Sequence, residues 1–256
     1  FLAQLEDFQK KLWLKKKFVV DSHYCFTLDR ILSIDDENIR NQLLYQIARN
    51  DAQRKEWVKL FEINKIQADI AEPGYSEPLT VEFLKSHPHL VVDTAHFSSE
   101  FTESFLAASA SIDSSINGVF IYSDNFHGLN LIRARYASQV QCIYIDPPFN
   151  TESDGFAYKD AYEHSSWLAM MADRLTLAKE LLIENGTLYC HIDYNEKERL
   201  KLLLDEHLEY ITEIIWRIGW VSGYKSAANK FIRNHDTIYQ YGKSNQPLFI
   251  KTYIPY

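Results

Sequence analysis

Apolar and polar residues alternate along this chain in two different rhythms. Over residues 1–17 and 35–70 the apolar positions recur at helical spacing, with Leu43, Leu44, Ile47, Trp57, Leu60 and Phe61 on one side; this predicts amphipathic helices. The stretch Glu72-Pro73-Gly74-Tyr75-Ser76-Glu77-Pro78 is rich in turn formers and predicts a linker. From residue 87 onward, short apolar runs alternate with amphipathic segments. Leu90-Val91-Val92, Val119-Phe120-Ile121-Tyr122, Val140–Ile145 and Thr187–Ile192 read as strands. Glu100–Ala110, Phe126–Tyr136, Ser165–Glu184 and Glu196–His207 read as helices, with Asn185-Gly186 as a turn. Such alternation predicts an α/β domain of βαβ units, with a parallel sheet covered on both faces. Tyr210–Ile218, Thr237–Tyr241 and Leu248–Tyr253 fit an antiparallel edge. The expected division is therefore a helical N-terminal region over 1–78 and an α/β domain over 79–256.

Composition narrows the class. A hydrophobic fraction of 46% and an aromatic fraction of 14% are ample for a packed core and argue against global disorder. No apolar run reaches the ~18 residues a membrane span needs, and no secretory signal opens the chain; no membrane association is expected. The first residue is Phe1 and not Met, which reads as a piece of a longer protein. Cys25, Cys142 and Cys190 are odd in number and far apart. That pattern favours a reduced, cytoplasmic protein over a disulfide framework or a zinc site, and Cys142 and Cys190 fall in predicted strands as core residues. The net charge of −8 counts against nucleic acid, because phosphate contacts draw on Lys and Arg. The distribution tempers this. Lys10, Lys11, Lys15, Lys16 and Lys17 cluster near the start, and Arg217, Lys225, Lys230, Arg233, Lys243 and Lys251 outnumber Glu213 and Asp236 near the end.

The sharpest chemical signal is Ile143-Tyr144-Ile145-Asp146-Pro147-Pro148-Phe149-Asn150. A buried strand ends in a carboxylate, two prolines and an aromatic ring. Ligands of open parallel sheets gather beyond the carboxyl ends of strands. The prolines fix the backbone and remove two N–H donors, leaving carbonyls as acceptors. The tetrad thus offers rigid acceptors beside an apolar face, a receptor for a planar group bearing an amino substituent such as adenine N6 or cytosine N4. The same residues also suit a plain strand-terminating turn, with Asp146 capping locally and Phe149 in the core. His164 and His235 stand in no metal-spaced pair and read as structural, so no metal site is expected.

The segments around the tetrad resemble the amino-methylating DNA methyltransferases that act on adenine N6, above all the modification subunits of type III restriction systems and related site-specific enzymes. The resemblance rests on Asp146-Pro147-Pro148-Phe149, Asn150-Thr151, Phe156–Asp160, His164–Leu168, Arg174-Leu175, Ala178–Leu182 and Gly186–Asp193. Upstream, Ile121–Phe126 resembles a strand ending in Gly-Asp-Asn, with Ser123 in place of the glycine; downstream, His235–Tyr241 resembles a His-Glu-x-Ile-x-x-Tyr element. The resemblance covers residues 87–256. It implies a Rossmann-like S-adenosylmethionine-dependent methyltransferase fold, present as its catalytic half. It also implies that Asp146 and the Pro147 carbonyl accept from the target amino group, that Pro148 stiffens the loop, and that Phe149 stacks on an adenine flipped from double-stranded DNA. Asp124 and Trp167 are the implied cofactor-binding residues. The family's Gly-rich donor-binding loop has no counterpart here and is expected beyond residue 256. A restriction subunit and a homodimeric partner are further implied associations. Cytosine-N4 methylation, and a non-catalytic DNA-binding or assembly module on the same scaffold, are the alternatives; cytosine-C5 chemistry is disfavoured because no cysteine is placed as a nucleophile.

Overall fold

In the computed structural model, residues 19–69, 73–109, 112–151, 163–219, 229 and 231–253 are described. The expected helix over 1–17, the Phe156–Asp160 segment, Lys225 and Lys230 lie outside them. The chain forms two compact units, one spanning 18–120 and the other containing 121–256.

The 18–120 unit is mainly helical. Strand β1 (Cys25–Thr27) runs into α1 (Leu28–Leu32), followed by α2 (Glu37–Ala48), α3 (Asp51–Phe61), α4 (Val81–Ser86), β2 (Val91–Asp93), α5 (Ser99–Ala108) and α6 (Ile112–Ser115). Each longer helix begins where a short polar side chain satisfies free N–H groups. Asp36 accepts from Asn38 and Ile39, Asn50 from Gln53, Thr80 from Phe83 and Ser98 from Phe101; such a cap contributes about 1 kcal/mol. Leu28, Ile31, Leu43, Leu44, Ile47, Trp57, Phe83, Leu84, Val92 and Phe101 are buried in one core.

That core corrects the expected boundary at 78/79. Residues 79–108 contribute Leu79, Phe83, Leu84, Val92, Phe101 and Phe105 to it. Backbone bonds from Leu28 N–H to Leu90 O and from Thr94 N–H to Tyr24 O stitch the halves together. The predicted strand at Leu90–Val92 does form, shifted by one residue, but it pairs antiparallel with β1 and not with the α/β sheet. Leu60 and Phe61, expected on the apolar side of α3, are exposed; the helix ends at Phe61, and Trp57 is the expected apolar residue that it buries.

The 121–256 unit contains α7 (Asn125–Tyr136), β3 (Val140–Ile145), α8 (His164–Leu181), β4 (Leu182–Ile192), α9 (Lys197–His207), β5 (Glu209–Arg217) and β6 (His235–Gly242). The four strands lie in the order β3-β4-β6-β5. β3 and β4 are parallel and joined through α8, whereas β6 is antiparallel to both neighbours. This is the α/β fold with an antiparallel edge that the sequence predicted. Trp167, Met171, Leu175 and Ala178 line one stripe of α8 at helical spacing. They share a core with Leu200 and Leu204 of α9 and with Leu188, Cys190, Ile192, Tyr239 and Tyr241, the alternate positions of β4 and β6 that face one side of the sheet.

Three sequence expectations change here. Val119–Tyr122 is not a strand, and Val119, Phe120 and Tyr122 are exposed. Leu248–Tyr253 joins no ladder; its first residue only donates its N–H to Asn185 O. Finally, α8 stops at Leu181, and Asn185-Gly186 falls within β4, where the register with β3 shifts between Val140 and Cys142. A side chain at Gly186 would sit 3.0 Å from the Ile183 carbonyl and 3.2 Å from that of Val140, so the bulge favours glycine.

Candidate active site

Parallel strands that share a crossover helix bring their carboxyl ends to the same edge of the sheet. β3 ends at Ile145, opposite Cys190 of β4, so the residues that follow each, Asp146 and His191, are neighbours. His191 Nδ1 lies 3.5 Å from Asp146 Oδ1 and its Nε2 3.6 Å from Asp236 Oδ2 on β6. The imidazole thus bridges an open carboxylate and a buried one. Asp146 is 59% exposed at its side chain and Asp236 8%. The His191 ring also meets Phe149 edge-on, with centroids 5.3 Å apart and planes at 76°, and faces Trp216 of β5 at 6.3 Å. Asp146 therefore stands beside an aromatic wall made by three residues from three parts of the unit. His191 and Trp216 were not among the expected site residues. Their signal was present, because both flank predicted strand ends, but only the β3–β4 and β5–β6 registers bring them to the tetrad.

The loop after Asp146 is held from below. Trp167 is fully buried and donates its indole N–H to the Pro148 carbonyl at 2.8 Å. Asn150 has a left-handed backbone, φ 59°, and its Nδ2 donates to Glu196 Oε1. That same oxygen lies 2.6 Å from His164 Nδ1, and Glu196 itself is buried. Among the described residues no hydrogen bond reaches the Pro147 carbonyl. The tetrad so presents two acceptors, the Asp146 carboxylate and the Pro147 carbonyl, on a backbone fixed by two prolines and two anchors. Phe149 is half-buried and packs against the core, which lies between the stacking and core readings of its ring.

The remaining expected residues fall as follows. Asp124 is exposed and caps α7, accepting from His127 N–H at 3.3 Å. Trp167 belongs to the core under the loop, so its ring has no open face for a ligand. Cys190 is buried, and burial together with the nearby Asp146 carboxylate pushes its thiol well above the ordinary range; it is no nucleophile. Cys142, expected in the core, is exposed on β3. The C-terminal basic excess is partly turned inward. Lys243 donates to the Leu182 carbonyl, and Arg233 lies over the Tyr194 ring while facing Asp193 and Asp236. Neither is a free phosphate contact. Among the described residues, no helix is long and apolar enough to cross a membrane.

Residues 140–255 match the profile of a family described as DNA methylase. The type III restriction-modification HindVI Mod subunit of Haemophilus influenzae, described as probable, is 34% identical over 138 residues, 52% of this chain and 18% of that one. The EcoP15I Mod subunit of Escherichia coli is 32% identical over 132 residues, covering 39% and 20%. The chain spans about a fifth of the length of these curated relatives. A solved complex of M1.HpyAVI with SAM superimposes with a TM-score of 0.38 at 14% identity, over 53% of this chain and 60% of that one.

Proposed function

We propose that this chain, whose residues 140–255 match a DNA methylase profile and resemble type III modification subunits, carries the catalytic half of a site-specific DNA methyltransferase. It transfers a methyl group from S-adenosylmethionine to the N6 amino group of adenine. The observation that carries this reading is an exposed Asp146 carboxylate next to a Pro147 carbonyl that no hydrogen bond reaches among the described residues, at the end of a parallel strand and beside Phe149, His191 and Trp216. Two acceptors beside a cluster of rings suit an amino group on a planar base better than a phosphate, a metal or an acyl group.

The donor set also fits a sulfonium cofactor, because the open carboxylate and carbonyl favour positive charge nearby. S-adenosylmethionine, when bound, supplies an electrophilic methyl group. Every other task falls to the chain. Asp146 and the Pro147 carbonyl accept from the amino N–H groups, raising electron density on nitrogen and aiming its lone pair. Phe149 stacks on a base extruded from the duplex, as reaction inside the stack is sterically closed. Asp124, exposed at the start of α7, is the proposed contact to the donor. Trp167 serves the site through the Pro148 carbonyl that it fixes. The protein acts on double-stranded DNA in the cytoplasm, in company with a restriction subunit and as a homodimer.

Transfer of labelled methyl groups to duplex DNA by the full-length protein, followed by digestion to nucleosides, tests the reading. Label in N6-methyladenine is expected; label in N4-methylcytosine, or none at all, overturns it. The Phe149 role has its own test. Phe149→Tyr keeps the stacking face and should leave the rate near wild type. Phe149→Ala should weaken the reaction by the stacking contribution, about 1–3 kcal/mol. Its loss of stability should fall below the roughly 3–5 kcal/mol of a fully buried ring. A large stability loss in both variants would return Phe149 to the core.

A further inference from the structure

We propose that Glu56, Asp93 and His96, in the 18–120 unit, form a binding site for one divalent transition-metal ion of the zinc class. The three side chains come from two places in the chain, since Asp93 caps the same turn that ends at His96. Glu56 is on α3, Asp93 ends β2, and His96 closes the 3₁₀ turn Thr94–His96. One ligand atom from each lies within 4.8 Å of the other two.

The geometry of the histidine is the informative part. Its Nε2 lies 3.2 Å from Glu56 Oε2, yet it is buried and makes no hydrogen bond. An imidazole N–H held for its own sake beside a carboxylate points at the oxygen, and a buried ring nitrogen left unsatisfied is costly. Here the two atoms stand side by side without pointing at each other. Nitrogen and oxygen ligands about 2.0–2.2 Å from a tetrahedral zinc sit about 3.3 Å apart; the His96 Nε2–Glu56 Oε2 pair stands at 3.2 Å, and an Asp93 oxygen lies within 4.8 Å of a ligand atom of each.

The site is also scaffolded and charged as a cation site needs. Gln53 is fully buried; its Nε2 donates to Glu56 Oε2 at 3.0 Å and its Oε1 accepts from Asp93 N–H at 2.7 Å. Asn50 Nδ2 donates to the His96 carbonyl at 2.7 Å, and Asp93 Oδ1 accepts from Ala95 N–H at 2.8 Å. These bonds hold the three residues in place, as outer-shell partners do in metal sites. Among the described residues no lysine or arginine pairs with Glu56 or Asp93. One imidazole with two carboxylates selects zinc-like ions over magnesium and calcium, which take oxygen-only sets. Three protein ligands leave one position for water, and the partial exposure of Glu56 and His96 gives an ion access. The bound ion clasps α3 to the turn after β2, a role independent of methyl transfer.

Calorimetric titration of the chain with Zn²⁺ tests this, with Glu56→Gln, Asp93→Asn and His96→Gln as variants. The wild type should bind one ion per molecule saturably, and millimolar Mg²⁺ should not displace it. Each variant that retains the wild-type circular dichroism should bind at least about tenfold more weakly, since loss of even an outer-shell partner costs that much. Zn²⁺ should raise the melting midpoint of the wild type and not that of the variants. Absence of a saturable site, affinity unchanged in the variants, or displacement by Mg²⁺ would each overturn the proposal.

Discussion

Replacing Asp146 by Ala in the full-length protein is expected to slow methyl transfer by about 10²–10³-fold, the scale on which one preorganised polar group acts at a reacting centre. DNA affinity should stay near wild type, because phosphate contacts elsewhere supply most of it. Stability should change by no more than about 0.5 kcal/mol, because the Asp146 side chain is exposed and its ion-pair contact to His191 is long, at 3.5 Å. The three readouts separate chemistry from binding and folding. Single-turnover rates at saturating DNA and donor should fall, while filter binding and thermal melting do not. Methylation at the wild-type rate would remove Asp146 from the reaction.

Trp167 should show the opposite signature. It is fully buried in the core of the 121–256 unit, so Trp167→Ala should cost about 3–5 kcal/mol of stability. Trp167→Phe is the sharper experiment. It keeps most of the packing but deletes the indole N–H that reaches the Pro148 carbonyl, leaving that acceptor unpaired at a cost of about 1–3 kcal/mol. Because the lost bond anchors the tetrad, the rate should fall at saturating DNA, with DNA affinity kept. A Trp167→Phe variant with reduced stability and an undisturbed rate would mean that the prolines alone hold the loop.

Much of this arrangement was legible in the sequence, and the failures have physical causes. β3 was read to the residue because an apolar run bounded by a turn and Asp-Pro-Pro leaves little choice. α7, α8 and α9 were placed to within a few residues by their helical spacing. What local pattern cannot supply is a pairing partner. Val119–Tyr122 has the composition of a strand but pairs with no strand among the described residues, and three of its four residues are exposed. Val91–Asp93 is a strand, yet its partner is Cys25–Thr27, far back in the sequence. For that reason the N-terminal unit runs on to 120 and does not stop at the turn-rich 72–78. In the candidate site, Asp146 to Phe149 announce themselves as a contiguous motif. His191, Trp216, Glu196 and Asp236 do not, because each looks like an ordinary residue near an element boundary until the strand register aligns it.

Glu196 has one further implication. A single buried carboxylate oxygen holds Asn150 on one side and His164 on the other, so it fastens both ends of the intervening stretch to one point. Glu196 stands immediately before α9, so one buried residue ties the loop after Asp146 and the first residue of α8 to the start of α9. Removing that carboxylate would take an anchor from two segments at once, and Asp146 would feel a change made at a residue it does not touch.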